Sequence, residues 1–244
     1  MFFNYPKEID KKDFNHLKKD PNVFYGLPRE GKYCRRCTIS NQRPNTSVEF
    51  KNTGKNPKKT ISFGEKGICD ACQVSLLKSN INWNERESEL RDLCDKFRRS
   101  DGSFDCLVPG SGGKDSFMTA HLLKYKYGMN PLTCTWAPHI YTDWGWKNFQ
   151  SWIHAGFDNI LYTPNGKVHR LLTRIATEKL FYPFQPFIMG QKTLAPKIAA
   201  KYDINLIFYG ENQAEYGNPK SDMKSANMQS SFFASSSEDD IYLS

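Results

Sequence analysis

Two rhythms of apolar and polar positions alternate between residues 83 and 209, short continuous apolar runs and longer stretches with apolar residues every third or fourth position. From Trp83 to Arg99, Leu90, Leu93, Cys94 and Phe97 fall at i, i+3, i+4 and i+7, one face of a helix. Asn82, with Glu85 three residues on, supplies its N-terminal cap. Asp101-Gly102-Ser103 reads as a turn. A short strand follows over Phe104 to Val108, then a helix from Ser116 to Tyr127 that Gly128 stops. Pro131 to Trp136 reads as a second strand and Trp146 to Ala155 as a helix burying Phe149, Trp152 and Ile153. Asn159 to Tyr162 is a third strand. Lys167 to Lys179 is a helix expected to turn Val168, Leu171, Leu172 and Ile175 inward. Phe187 to Tyr202 is a helix kinked at Pro196, and Ile204 to Tyr209 is a fourth strand. Buried strands alternating with helices predict an α/β fold, a doubly wound parallel sheet covered on both faces.

The flanks are different. Residues 1–33 are polar and proline-punctuated and read as an arm; residues 34–78 hold two cysteine pairs around the basic loop KNTGKNPKK. The division expected is an arm and cysteine module over 1–80 and an α/β domain over 81–244. The segment from Ser221 is rich in Ser, Asn and Met and reads as a mobile loop. The final SFFASSSEDDIYLS breaks off at the start of an apolar run, so the natural protein is expected to continue.

Composition narrows the picture a little. With 39% hydrophobic and 25% charged residues, the chain of 244 reads as globular, soluble and cytoplasmic. No run approaches the ~20 apolar residues of a membrane-spanning helix, and the charged N-terminus is not a secretory signal. The net charge of +8 suits nucleic acid, phosphorylated metabolites or an acidic partner without choosing among them.

Chemistry concentrates where the first strand ends. VPGSGGKDSF places three glycines, two hydroxyls, a lysine and a carboxylate between a strand and a helix. Glycines at 110, 112 and 113 let the backbone turn sharply and approach a ligand. Successive N–H groups and the helix N-terminus favour an anion. Ser111 and Ser116 add hydroxyl donors, Lys114 a charge, and Asp115 a carboxylate able to hold magnesium. Together with Gly112 and Gly113 they form a site for several phosphates. The spacing is neither that of the Walker loop nor that of the dinucleotide fingerprint. SGGKDS in this setting resembles the pyrophosphate-binding loop of the PP-loop ATP pyrophosphatases, which cleave ATP between the α and β phosphates.

CRRC and CDAC place Cys34 with Cys37 and Cys69 with Cys72. Two such pairs are a strong signature of a closed, structural four-thiolate zinc site, and the same ligands can hold an iron–sulfur cluster. Cys94, Cys106 and Cys134 sit in apolar contexts and read as core residues. At the far end, LIFYGENQAEYG follows the fourth strand; a doubly wound sheet would bring it to face the phosphate loop, with Glu211, Asn212 and Glu215 as polar groups for a magnesium shell or substrate orientation. The aromatic cluster Trp136, Tyr141, Trp144 and Trp146, with His139 and Asp143, is read either as a sugar or nucleotide pocket or as helix packing.

YCRRCTISNQRPN, GICDAC, VPGSGGKDS, CTWAPHIYTDWGWKN, LYTPNGKVHRLLT, PFQPFIMGQK and FYGENQAEYGN together resemble the N-acetyl sugar amidotransferase family, over residues 33 to 220. The resemblance implies a PP-loop ATP pyrophosphatase fold with an N-terminal zinc-binding module. It also implies an activity: ATP-dependent conversion of an acetamido to an acetamidino group on a sugar of bacterial surface glycans such as lipopolysaccharide O-antigen. Lys114, Asp115 and Glu211 would be catalytic, and Ser111, Gly112, Gly113, Ser116 and Asn212 would bind ATP. ATP, Mg²⁺ and a structural Zn²⁺ are the cofactors expected. The substrate would be a free or nucleotide-linked N-acetyl sugar. The chain carries no glutaminase nucleophile elbow, so ammonia would come from separate glutaminase and cyclase-like subunits; no membrane partner is expected. Two alternatives stand beside this reading. A tRNA sulfur-transfer enzyme of the same superfamily would suit the positive charge, but only Cys134 follows the loop, which makes nucleic acid the less favoured partner. A non-catalytic zinc-ribbon module would leave SGGKDS unexplained.

Overall fold

The computed structural model describes residues 28, 30–42, 60–180 and 182–211. The N-terminal arm through residue 27, the basic loop at 51–59, Asn212, Glu215 and the C-terminal tail lie outside the described residues. The chain divides into two compact units at Asn80 and Ile81.

In the first unit, two tight hairpins carry the cysteine pairs. Tyr33 and Ser40 make one antiparallel bridge, Phe63 and Cys69 another. The first turn is closed by Cys34 N–H to the Ile39 carbonyl and Thr38 N–H to the Cys34 carbonyl. Helix α1 (Asp70–Lys78) then leaves directly from Cys69. Its core is small: Cys34, Ile61, Cys69 and Cys72 are buried, with Ile39, Phe63 and Ile68 packed around them.

The second unit is mixed α/β. Helix α2 (Trp83–Phe97) starts at Asn82, whose side chain accepts from Glu85 N–H. Strand β1 (Cys106–Pro109) feeds the glycine loop. Helix α3 (Lys114–His121) widens into one π turn at Leu122–Lys126, and Gly128, at φ +64, ends it. Strand β2 (Pro131–Trp136) leads to α4 (Asp143–His154), β3 (Asp158–Tyr162), α5 (Gly166–Leu180) and α6 (Gln185–Lys201). The strands form a parallel sheet in the order β1-β2-β3. The expected fourth strand over Ile204 to Tyr209 is reduced to one rung. Ile207 bridges Leu107 in parallel on the free edge of β1, held by Leu107 N–H to the Leu206 carbonyl and Phe208 N–H to the Leu107 carbonyl, each 2.9 Å.

Both faces of β1 are covered, as its unbroken apolar character requires. Cys106 and Val108 join Cys94, Ala120, Leu123, Phe149 and Trp152 on one side; Leu107 joins Leu132, Cys134, Leu194, Ala195 and Ile198 on the other. Side-chain hydrogen bonds cross the sheet. Asn159 Nδ2 donates to the Thr133 and Thr135 hydroxyls, and Thr135 Oγ1 donates to the Gly110 carbonyl at 2.6 Å. This ladder ties β3 and β2 to the first residue of the glycine loop.

Two expectations fail here. Helix α4 begins at Asp143 rather than at Trp146, because Thr142 Oγ1 accepts from Gly145 N–H at 3.0 Å and caps an earlier turn. On α5, Val168, Leu171, Leu172 and Ile175 point outward, between 37% and 45% exposed, while His169 and Ala176 are buried. Asn165 Oδ1 accepts from Lys167 and Val168 N–H and fixes the start of the helix. The face that α5 turns inward is therefore the one seven residues apart at His169 and Ala176. Among the described residues no helix is long and apolar enough to cross a membrane.

Candidate functional site

The four paired cysteines converge. Their sulfurs all lie within 4.8 Å of one another, with Cys34 to Cys72 at 3.9 Å and Cys37 to Cys69 at 3.6 Å. Ligands ~2.3 Å from a tetrahedral zinc stand ~3.8 Å apart, so the spacing fits a bound ion. Backbone donors orient the set: Arg36 N–H and Cys69 N–H both reach Cys34 Sγ, at 3.4 and 3.3 Å. Burial works against ionising Cys34, yet these N–H groups and that of Cys37 bring its thiol down to about 6. Burial and the neighbouring thiols push Cys72 up to about 12. Four clustered thiols cannot all ionise without a cation among them, which is the condition a metal meets. With all four positions filled by sulfur, such a site is structural.

The glycine loop is built as the residue types require. Gly112 is buried with φ +83, and a Cβ there would stand 2.2 Å from the Asn148 carbonyl oxygen of α4. Gly110 has a similar constraint, since a Cβ would meet Ser116 Cβ at 2.5 Å. Gly113 is the N-cap of α3, and a Cβ on it would meet nothing within 4 Å. The loop thus seats one glycine against α4 and presents another to open space at a helix N-terminus. Ser111 is exposed, and Ser116 Oγ donates to the Gly113 carbonyl at 3.2 Å.

Lys114 and Asp115 were expected to serve phosphate and magnesium separately. The structure pairs them: Lys114 Nζ lies 2.6 and 2.8 Å from the two Asp115 carboxylate oxygens. The side chains are 87% and 59% exposed, and such surface pairs hold ~0–1 kcal/mol, so a polyphosphate can draw them apart at little cost. Asp115 has the donor type for magnesium; the carboxylate must leave Lys114 to use it.

The segment after the Ile207 rung returns to this loop. A Cβ on Gly210 would lie 2.7 Å from Asp115 C and Ser116 N, so only glycine allows this approach. Glu211 is the next residue and is exposed. Lys192, half-buried on α6, is pulled below the ordinary lysine range by burial, and Glu211 opposes that shift. Neither Gly210 nor Lys192 was singled out from the sequence. The G in FYGEN was a visible signal for the first; nothing in the order of residues signalled the second. A cavity of ≈ 390 Å³ adjoins the loop between α3 and α4, lined by Gly112, Lys114, Phe117, His121, Asn148 and Ser151. Lys114 lines it; Asp115 and Glu211 do not.

The aromatic cluster expected after β2 is divided. Tyr141, Trp146 and Phe149 pack on one another, with Tyr141 and Trp146 rings 5.2 Å apart; Phe149 belongs to the core, Tyr141 is half-buried against it, and Trp146 is exposed. Trp144 is 73% exposed under Lys147. Trp136 instead stacks on Tyr162 and neighbours His169. Cys94, Cys106 and Cys134 are buried, and burial pushes the Cys106 and Cys134 thiols up to about 12.

No family model matches the chain. An uncharacterized protein of Methanocaldococcus jannaschii is 35% identical over 75 residues, covering 31% of this chain and 27% of that protein. The matched stretch therefore spans about a quarter of that relative's length.

Proposed function

We propose that the chain is an ATP-dependent amidotransferase of the PP-loop ATP pyrophosphatase type, with a doubly wound sheet and a structural zinc module. In this reading the acetamido oxygen of a sugar, free or nucleotide-linked, attacks the α phosphate of ATP and displaces pyrophosphate. Ammonia then replaces the AMP ester to give an acetamidino group. The geometry that carries this reading is the loop itself, SGGKDS between a parallel strand and a helix, with Gly112 seated on α4, Gly113 open, and Gly210 against Asp115–Ser116. The rung of Ile207 on the outer edge of β1 supports the doubly wound order, because it puts the loop between neighbouring strand ends where such sheets bind ligands.

The loop amides and Lys114 would hold the polyphosphate, and their charge matters most as pyrophosphate develops its own. Magnesium, held by Asp115, would supply further neutralisation of that charge. Glu211 would orient the substrate amide or complete the metal's shell. The four cysteines would keep the first unit folded around zinc. Ammonia would come from separate glutaminase and cyclase-like subunits, in the cytoplasm. The sulfur-transfer alternative gains nothing from Cys106 and Cys134, which are buried and hard to ionise.

The deciding experiment is product analysis with ATP, ammonium and a nucleotide-linked acetamido sugar. AMP and pyrophosphate are expected, lost in Asp115→Asn and reduced but not abolished in Lys114→Ala, because the loop amides remain when that one charged contact to the developing pyrophosphate is removed. Formation of ADP overturns the reading.

A further inference from the structure

At the C-terminal ends of β2 and β3 stands a second group of side chains that the phosphate loop does not use. Trp136 and Tyr162 end the two strands, and their rings stack 5.0 Å apart at 21°. His169, in the first turn of α5, lies 6.1 Å from the Trp136 ring and 4.3 Å from that of His139. Phe187 of α6 lies 5.8 Å from His139. The indole is pressed onto α6 where Gly190 has no side chain; a Cβ there would fall 2.2 Å from the ring.

Two polar atoms in this group, Trp136 Nε1 and His169 Nε2, are buried with no hydrogen-bond partner among the described residues. His169 is only 8% exposed. Buried polar groups are normally paired, and an unpaired one asks for an explanation. The indole can only donate; a neutral imidazole nitrogen can accept. His139 is exposed on the loop after β2, and its ring covers His169. Turning that one side chain away uncovers the His169 imidazole, which adjoins the indole.

We propose that this cluster is a binding subsite for a neutral amide group, with His139 as its movable cover. The indole N–H donates to the amide oxygen, His169 Nε2 accepts from the amide N–H, and the outer ring surfaces of Tyr162 and Phe187 receive the adjoining methyl. One donor beside one acceptor within apolar rings matches an amide. It does not match a phosphate or carboxylate, which would need a cation. Strands lie ~4.8 Å apart, so the subsite stands ~5–10 Å along the sheet edge from the strand that feeds the phosphate loop. Only the identification of the amide as an acetamido group rests on the amidotransferase reading.

The test is NMR on the full ¹⁵N-labelled chain, following the indole N–H that disappears in Trp136→Phe. N-methylacetamide is titrated against methyl acetate, an ester without the N–H. The expected result is a downfield shift with the amide, several-fold weaker binding of the ester, tighter amide binding in His139→Ala and loss of it in His169→Phe with unchanged circular dichroism. Equal responses to amide and ester, no response to either, or weaker binding in His139→Ala overturns the subsite. No ATP is present, so the outcomes are separable. Amide binding with ADP formation keeps the subsite and removes the amidotransferase. AMP release without amide binding does the reverse.

Discussion

Gly112→Ala should destabilise the second unit severely, and the same change one residue later should not. Gly112 has φ +83, and an added Cβ would sit 2.2 Å from Asn148 O, 2.6 Å from Asn148 C and 3.1 Å from Phe149 N. All three atoms are backbone within α4, so none can swing aside as a side chain would. Ordinary contact is ~3.5 Å, which means a shift of helix or loop by more than ~1 Å. Left-handed backbone adds ~1–2 kcal/mol for a residue with a Cβ, and overpacking a filled site adds ~1–3 kcal/mol. The sum is ~2–5 kcal/mol, against a typical total stability of ~5–15 kcal/mol. Gly113 has φ −64 and open space around its Cβ position, so Gly113→Ala should stay within ~0.5 kcal/mol of wild type. Urea unfolding of the two variants side by side, read by circular dichroism, measures the difference. Equal midpoints would refute the seating of the loop on α4. If the loop holds ATP, Gly113→Ala should in addition weaken nucleotide binding while the fold persists.

Purified protein should carry about one zinc per chain, and Cys34→Ser or Cys69→Ser should release it, since structural sites need the full ligand set; metal analysis finding no zinc, or iron with sulfide, refutes this. His169 is held below its ordinary 6.5 by burial and then by His139, so the unfolded chain takes up a proton that the folded chain resists. Its contribution to stability is complete above about pH 6.5 and falls as pH drops toward the lower folded value. Denaturation curves between neutral and mildly acid pH should be flatter for His169→Gln; an unchanged slope would show that His169 is not the responsible group. Cys106 and Cys134, pushed up to about 12 by burial, should resist iodoacetamide in the native protein and react on unfolding, as mass spectrometry of alkylated peptides would show.

What the order of residues determined was local. Asn82 and Glu85 marked a helix start, Gly128 a helix end, Pro131 to Trp136 a strand, and two C-x-x-C pairs a metal-type cluster, because each depends on neighbours within a turn or on a spacing imposed by chain geometry. The turn at SGGKDS between strand and helix was legible for the same reason: its glycines act through their own backbone. Tertiary structure decided what each face meets. Periodicity put Val168, Leu171, Leu172 and Ile175 on one side of α5, but only the docking of the helix turned that side outward and His169 inward. The aromatic residues after β2 looked like one cluster in sequence, and packing sent Tyr141 against the core with Trp146 over it, Trp144 to the surface and Trp136 to Tyr162. The approach of Gly210 to Asp115–Ser116 and the nearness of Lys192 to Glu211 join residues about a hundred and about twenty positions apart in the chain. No local rule encodes such contacts, because they form only when the sheet brings its strand ends to one edge.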